Sequence, residues 1–242
     1  MSTKTILITG GTAGIGRALA KHLLAQGNRV IITGRNRSRI DEACSALGCT
    51  GYAADSADIA QLQALAYGLH KEGVKLDGLV LNAGVFYPQS LLNSSAEDFD
   101  LSMAINTRGP FITLQQLQPL LNNPSSVVFV SSVAVTRAFA GAAVYSASKA
   151  AFEAITRVAN LELAPLGIRI NSVRPGVTAT EIQGKAGMTE EQQSAFFATL
   201  ESTPLGRVLT PADQIGAIEF LLSEHSLAMR NAVLEVDGGY LL

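Results

Sequence analysis

The sequence predicts an α/β fold, a single doubly wound domain over residues 1–242 whose seven-stranded parallel sheet carries helices on both faces. Three observations support this. Short β-rich apolar runs alternate with longer stretches of helical period, as repeated βα units require. The composition, 48% hydrophobic against 16% charged, suits a compact domain with a large core. No internal repeat, low-complexity tract or Pro/Ser-rich linker divides the chain, so its length is read as one domain.

The expected strands are Thr5–Thr9, Arg29–Thr33, Gly51–Ala54, Gly78–Asn82, Ser126–Ser131, Arg169–Val173 and Val233–Val236. A helix is expected over Ile15–Gln26, with Leu19, Leu23 and Leu24 as its apolar stripe and Gly27 as a left-handed cap. Glu97–Leu121 and Val144–Ala164 also read as helices, the second stopped by Pro165 and Gly167. Both carry small apolar residues on more than one face, which points to a homo-oligomer, a dimer or tetramer. The least regular stretch, Thr178–Pro204, follows the sixth strand at the sheet edge where open α/β folds bind ligands. It reads either as a mobile substrate lid or as a plain surface helix.

A net charge of −2 argues against a nucleic-acid partner, because phosphate affinity rests on clustered Lys and Arg. Small-molecule partners fit better. Cys44 and Cys49 lack a second pair, so neither a zinc site nor a disulfide framework is signalled and reduced thiols of the cytosol are expected. No apolar run approaches the roughly 20 residues of a membrane span. The opening MSTKTILITGG enters a strand without the cationic start and apolar stretch of a signal peptide, so a cytoplasmic location is expected. His22, His70 and His225 lie away from the strand ends and form no recognisable metal spacing.

After the first strand comes Thr9-Gly10-Gly11-Thr12-Ala13-Gly14-Ile15-Gly16, leading into the first helix. Glycines here permit a tight turn and close approach of backbone N–H groups to a pyrophosphate, and the helix N-terminus adds partial positive charge. The spacing differs from the common G-x-G-x-x-G fingerprint. The form T-G-x-x-x-G-I-G resembles the short-chain dehydrogenase/reductase family, specifically its compact single-domain NADP(H)-dependent reductases. That resemblance implies a Rossmann-type domain with Gly10, Thr12, Ala13, Gly14, Ile15 and Gly16 against the cofactor.

An NAD enzyme usually places Asp or Glu at the end of the second strand to bond the ribose 2'-hydroxyl. Here the chain reads Thr33-Gly34-Arg35-Asn36-Arg37, without an acidic residue between Gly16 and Asp41. A guanidinium can pair with a 2'-phosphate that a carboxylate would repel, so Arg35 argues for NADP(H). The alternative is that Arg35, Arg37 and Arg39 form a solvated face at a helix start, where the dipole disfavours cations. The resemblance further implies Asp55 at the adenine and Asn82-Ala83-Gly84 along the adenosine ribose. Leu81 stands where many relatives have a first asparagine, at a position expected to face the core.

Tyr145 and Lys149 have the spacing Tyr-x-x-x-Lys within a predicted helix, which puts both side chains on one face. A free tyrosine titrates near pH 10, and a neighbouring ammonium favours its phenolate. Thirteen residues upstream, the fifth strand ends at Ser132, whose hydroxyl can donate to a carbonyl oxygen that gains negative charge. Ser131 competes for that role, and the family's serine falls at the distance of Ser132. The resemblance places Tyr145 and Lys149 against the cofactor, Lys149 on the nicotinamide ribose. It makes Asn106 the holder of a water that links the lysine to solvent; alternatively Asn106 is a buried helix asparagine satisfied by a backbone carbonyl.

The stretch RINSVRPG over residues 169–176 resembles the family's strand and turn over the nicotinamide, with Pro175 and Gly176 beside it and Thr178 and Thr180 placed for the carboxamide or phosphates. Val236-Asp237-Gly238-Gly239 resembles the closing strand and turn. Arg174, where a small residue is usual, and Arg230-Asn231, where many relatives have Thr-Gly, depart from the pattern. The implied activity is hydride transfer between NADP(H) and a carbonyl or secondary alcohol, with Tyr145 as general acid/base, Ser132 polarising the carbonyl, and Lys149 and Asn106 completing a proton relay. A 3-oxoacyl thioester reductase and a catalytically silent NADP-binding sensor are the alternatives. An epimerase or dehydratase of the longer family branch would need an added C-terminal domain. Arg137 reads either as a contact for an anionic substrate or as a solvated loop charge, and Phe86, Tyr87, Phe139, Phe196 and Phe197 suggest a partly apolar pocket.

Overall fold

The structure is a computed structural model that describes residues 3–242. Seven strands form one parallel sheet: β1 (Thr5–Thr9), β2 (Arg29–Gly34), β3 (Thr50–Ala53), β4 (Leu76–Leu81), β5 (Leu121–Val130), β6 (Ile168–Pro175) and β7 (Val233–Val236). Their order is β3-β2-β1-β4-β5-β6-β7, so the direction of winding reverses between β1 and β4. That reversal opens a crevice at the carboxyl ends of β1 and β4, the place where such sheets take ligands.

The helices are α1 (Gly14–Ala25), α2 (Arg37–Leu47), α3 (Ile59–Lys71), α4 (Ala96–Met103), α5 (Gly109–Leu117), α6 (Ala143–Glu162), α7 (Ile182–Lys185), α8 (Glu190–Ala198) and α9 (Pro211–Leu222). Strand alternation decides which helices cover which face. Leu7, Leu79 and Val127 point to one side, into a core with Leu62 and Leu69 of α3, Leu114 of α5 and Phe152 of α6. Ile6, Ile8, Val80 and Val128 point to the other, against Leu19 and Leu23 of α1 and Ile218 and Leu221 of α9. With both faces covered, the strands read as continuous apolar runs.

The expected elements are found with boundaries shifted by a few residues, except in two places. The segment expected as one helix over 97–121 is α4 and α5 separated by a π-helical stretch at Ala104–Arg108, followed by a 3-10 turn and then β5 from Leu121. Pro110 supplies the reason: it has no N–H to give the Asn106 carbonyl, its partner in an uninterrupted α-helix. The region 178–204, expected to be irregular, forms α7, α8 and a 3-10 turn at Thr199–Ser202. Thr189 starts α8 with a capping box to Gln192.

The departures noted in the sequence have local causes. Leu81 is buried in the core, as its strand position requires. Asn231 holds a left-handed backbone (φ 55°), the conformation glycine takes most easily and asparagine tolerates. Arg230 donates to the Ile168 carbonyl.

Candidate active site

The loop after β1 is tied to the loop after β4. Thr9 Oγ1 accepts from the amides of Asn82 and Ala83, and Asn82 Nδ2 donates to the carbonyls of Thr9 (2.9 Å) and Gly10 (3.2 Å). This leaves Gly10, Thr12, Ala13, Gly14 and Ile15 on the wall of a cavity of about 630 Å³ that runs along the sheet edge. Gly14, at φ 53°, opens α1 and sits against Thr180. Gly16 is different from the expectation: it is buried, a Cβ there would lie 2.6 Å from Asn82 Nδ2 and from the Gly10 carbonyl, and it does not line the cavity. Its place is under the loop, where only a hydrogen fits.

Arg35 and Asp55 line the same cavity beyond β2 and β3. Asn36 caps α2 by accepting from the Arg39 amide, so α2 begins at Arg37 and Arg35 precedes it. Arg37 pairs with Asp41 at 2.9 Å and Arg39 with Glu181 at 3.0 Å. Among the described residues Arg35, exposed, has no ion-pair or side-chain hydrogen-bond partner. Of the three arginines it alone faces the cavity with its guanidinium uncommitted.

Asn82, Ala83 and Gly84 also face the cavity. Asn106, inside the π-helical stretch, holds the chain just beyond them: its Oδ1 accepts from the Val85 amide and its Nδ2 donates to the Val85 carbonyl and Ser148 Oγ, all at 2.9–3.0 Å. Its side chain therefore pins the loop after β4 to α6.

Ser132, just past β5, and Tyr145 and Lys149 on α6 share one wall of the cavity. Ser132 Oγ accepts from the Ala134 amide at 3.1 Å and lies beside the Tyr145 phenol. Ser131 also lines the cavity, and its hydroxyl donates to Glu153 at 2.6 Å. Burial pushes the Tyr145 phenol up from its ordinary value, and the Ser132 hydrogen bond opposes that rise. Lys149 is buried, donates to the Val130 carbonyl at 2.8 Å, and lies 5.9 Å from the centre of the Tyr145 ring. Its burial brings its pKa down to about 8, against an upward pull from Glu153.

Glu153 is the residue sequence reasoning missed. One turn beyond Lys149, its carboxylate accepts from Ser131 Oγ, from Arg174 Nε (2.9 Å) and from Arg174 Nη2 (2.6 Å), while Arg174 Nη1 reaches Glu235 at 2.9 Å. Burial is deep for both partners, 12% and 15% exposed at the side chain. The network fastens the helix of Tyr145, the end of β5 beside Ser132, and β6 one residue before Pro175. The available signal was the spacing, since Glu153 continues the Tyr145–Lys149 face.

Pro175, Gly176, Thr178 and Thr180 line the cavity from the β6 side. A Cβ on Gly176 would meet Asp237 Cα at 2.6 Å. Thr178 departs from expectation: it is buried, and its hydroxyl donates to the Gly176 carbonyl and accepts from Gln214, which removes its proton from any ligand. The Thr180 hydroxyl accepts from the Ile182 amide.

Phe86, Phe139 and Phe196 lie on the cavity wall, Phe86 with its ring 5.0 Å from that of Tyr145; Tyr87 and Phe197 are not on it. Arg137 lies off the cavity, donating to the Tyr240 carbonyl with its guanidinium 4.1 Å from the Tyr240 ring. The Cys44 and Cys49 sulfurs are free and 3.7 Å apart. Among the described residues no group of three His, Cys, Asp or Glu side chains is arranged to hold a metal ion, and no helix is long and apolar enough to cross a membrane.

This fold and crevice define a dinucleotide-binding α/β protein with a Ser-Tyr-Lys wall. The family model described as enoyl-(acyl carrier protein) reductase matches residues 10–241. L-xylulose reductase of Bos taurus is 33% identical over 244 residues, covering 100% of this chain and 98% of its own. The 3-oxoacyl-[acyl-carrier-protein] reductase FabG of Rickettsia felis is 30% identical with the same coverage. Among solved structures, a short-chain dehydrogenase/reductase of Serratia marcescens superposes with a TM-score of 0.88 at 29% identity, covering 99% of this chain and 98% of that one. BdcA in complex with NADPH superposes at 0.86 and 26% identity, covering 99% and 95%. The chain belongs to the short-chain dehydrogenase/reductase family, and it is an oxidoreductase.

Proposed function

We propose that the chain is an NADP(H)-dependent oxidoreductase that interconverts a carbonyl compound and its secondary alcohol, with Tyr145 as general acid/base. The observation that carries this is the convergence of Ser132, Tyr145 and Lys149 on the cavity that also holds the glycine loop. The residues present suit a phosphorylated dinucleotide: backbone N–H groups at the start of α1 for a pyrophosphate, and the uncommitted Arg35 for a 2'-phosphate. The BdcA structure, which contains NADPH, supports that choice.

Bound NADPH would supply the hydride that reduces the carbonyl carbon. Ser132 holds the carbonyl oxygen by donating its hydroxyl proton as a hydrogen bond, and Tyr145 transfers its phenolic proton to the same oxygen. The Lys149 ammonium favours the resulting phenolate. Asn106 lies in a π-helical stretch that breaks the regular backbone pairing near Lys149, which supports the expected water relay there. Oxidation reverses these roles. The segment 178–204, with Ile182, Met188 and Phe196 on the cavity, acts as a substrate lid. Exposed Phe111 and Leu161 on α5 and α6 support a homo-oligomer.

NADPH consumption over a panel of ketones, 3-oxo thioesters and keto acids, with NADH in parallel, tests the reading. Faster turnover with NADPH is expected; equal or better rates with NADH would remove the role given to Arg35. A 3-oxoacyl thioester reductase is the second reading, favoured by the FabG relatives.

A further inference from the structure

The catalytic end of the cavity is poor in polar groups that a substrate could use. Phe86, whose ring lies 5.0 Å from that of Tyr145, and Val133 and Ala134, which follow Ser132, line the cavity together with Phe139, Met188 and Phe196. The charged side chains on the lid side of the cavity are paired with one another, Lys185 with Glu181 at 2.8 Å and Glu181 with Arg39 at 3.0 Å. Gln183 is committed at both ends, donating to the Thr178 carbonyl and accepting from the Thr180 amide. Ser131 is held by Glu153, and Lys149 by the Val130 carbonyl. Arg35 and Asp55 lie beyond β2 and β3, with β1 and β4 between them and the end of β5. Arg137 is held against Tyr240 outside the cavity.

Of the other hydroxyls on the cavity, Thr12 and Ser56 follow β1 and β3 and Thr180 sits against Gly14, at the glycine-loop end. At the end of β5, among the described residues, Ser132 and Tyr145 are left to bind a reacting oxygen, and one carbonyl uses both. Any further hydroxyl carried into this space loses water and finds no partner, at a cost of about tenfold in affinity each. A carboxylate or phosphate fares worse, since among the described residues the one uncommitted cation on the cavity, Arg35, lies at its far end. Three aromatic rings offer flat apolar contact instead. From this geometry we propose that the site takes an uncharged carbonyl compound with apolar substituents, an aryl alkyl ketone being the fitting class, rather than a polyhydroxylated or anionic one. The proposal rests on the hydride-transfer reading above and narrows its substrate.

The test uses the full chain with NADPH and three probes: 1-phenyl-1-propanone, benzoylformate, which carries the same ring and carbonyl beside a carboxylate, and L-xylulose. The propanone is expected to exceed both others at least 100-fold in kcat/KM. In Phe196→Lys, which places a cation on the apolar wall, the gap to benzoylformate should narrow at least tenfold. Benzoylformate or L-xylulose turned over as well as the propanone, or a gap unmoved by Phe196→Lys, overturns the substrate class and leaves hydride transfer standing. If NADPH binds, as read by its fluorescence, and none of the three is reduced, the substrate class falls; the hydride-transfer reading falls with it only if the wider panel of ketones, 3-oxo thioesters and keto acids also leaves NADPH unconsumed.

Discussion

At Tyr145, burial keeps the phenol protonated at neutral pH, so it is poised to give a proton in the reductive direction, and Ser132 and Lys149 ease that transfer. Tyr145→Phe should lower kcat by about 10²- to 10⁴-fold, the range of a lost general acid, while NADPH affinity by fluorescence titration stays within about twofold. Lys149 carries the pH dependence. With its pKa brought down to about 8, the ammonium is present below that pH and lost above it, so kcat/KM for NADPH, which reports the free enzyme, should fall as pH rises through about 8. The Glu153 carboxylate pulls the lysine upward, so in Glu153→Gln the break should move to lower pH. At the other end of the cavity, Arg35→Asp should cost about 10- to 100-fold in kcat/KM for NADPH and shift preference towards NADH. The residue types at these positions were legible in the sequence because each is tied to a strand end or to one helix face. What could not be read was which atoms are already committed: the Thr178 hydroxyl turns inward, and Ser131 turns to Glu153.

Among the elements, α6 does the most, carrying Tyr145, Lys149 and Glu153 at successive four-residue steps. The first step was visible as Tyr-x-x-x-Lys. The second was not, because the meaning of Glu153 depends on Arg174 arriving from β6, and no local pattern announces a contact between residues 21 apart. Removing one partner of a buried pair leaves an uncompensated charge, so Arg174→Met should destabilise by about 3 kcal/mol in urea unfolding. Adding Glu153→Gln to that variant should cost less than the sum of the two single changes. The break between α4 and α5 was hidden for a different reason, since the apolar period runs through it. Pro110 in the interior was the signal, and it places Asn106 where its side chain can hold Val85. A smaller effect belongs to the turn before β7: Asn231→Ala should cost about 1 kcal/mol, because alanine resists the left-handed backbone that asparagine tolerates.

Over the whole molecule, the strand order brings the loops after β1, β4, β5 and β6 to one edge, and this is why residues as distant in sequence as Gly14 and Thr180 come into contact. That architecture followed from the alternation of apolar runs, since parallel strands covered on both faces admit few other patterns. Shape of the lid and chemistry of the substrate end did not follow, because they depend on how side chains from four loops close over one cavity. A ligand that binds only the folded chain stabilises it, so NADPH at 100 times its Kd should add about 2.7 kcal/mol, or roughly 5–10 °C in melting temperature. NADH at the same concentration should add less. Isotope transfer asks the central question most directly: with NADPH dideuterated at C4 and 1-phenyl-1-propanone, the product alcohol should carry one deuterium on its carbinol carbon, one per NADPH oxidised, and Tyr145→Phe should make almost none. Product that is formed without deuterium at that carbon, or at an undiminished rate by Tyr145→Phe, would contradict the account.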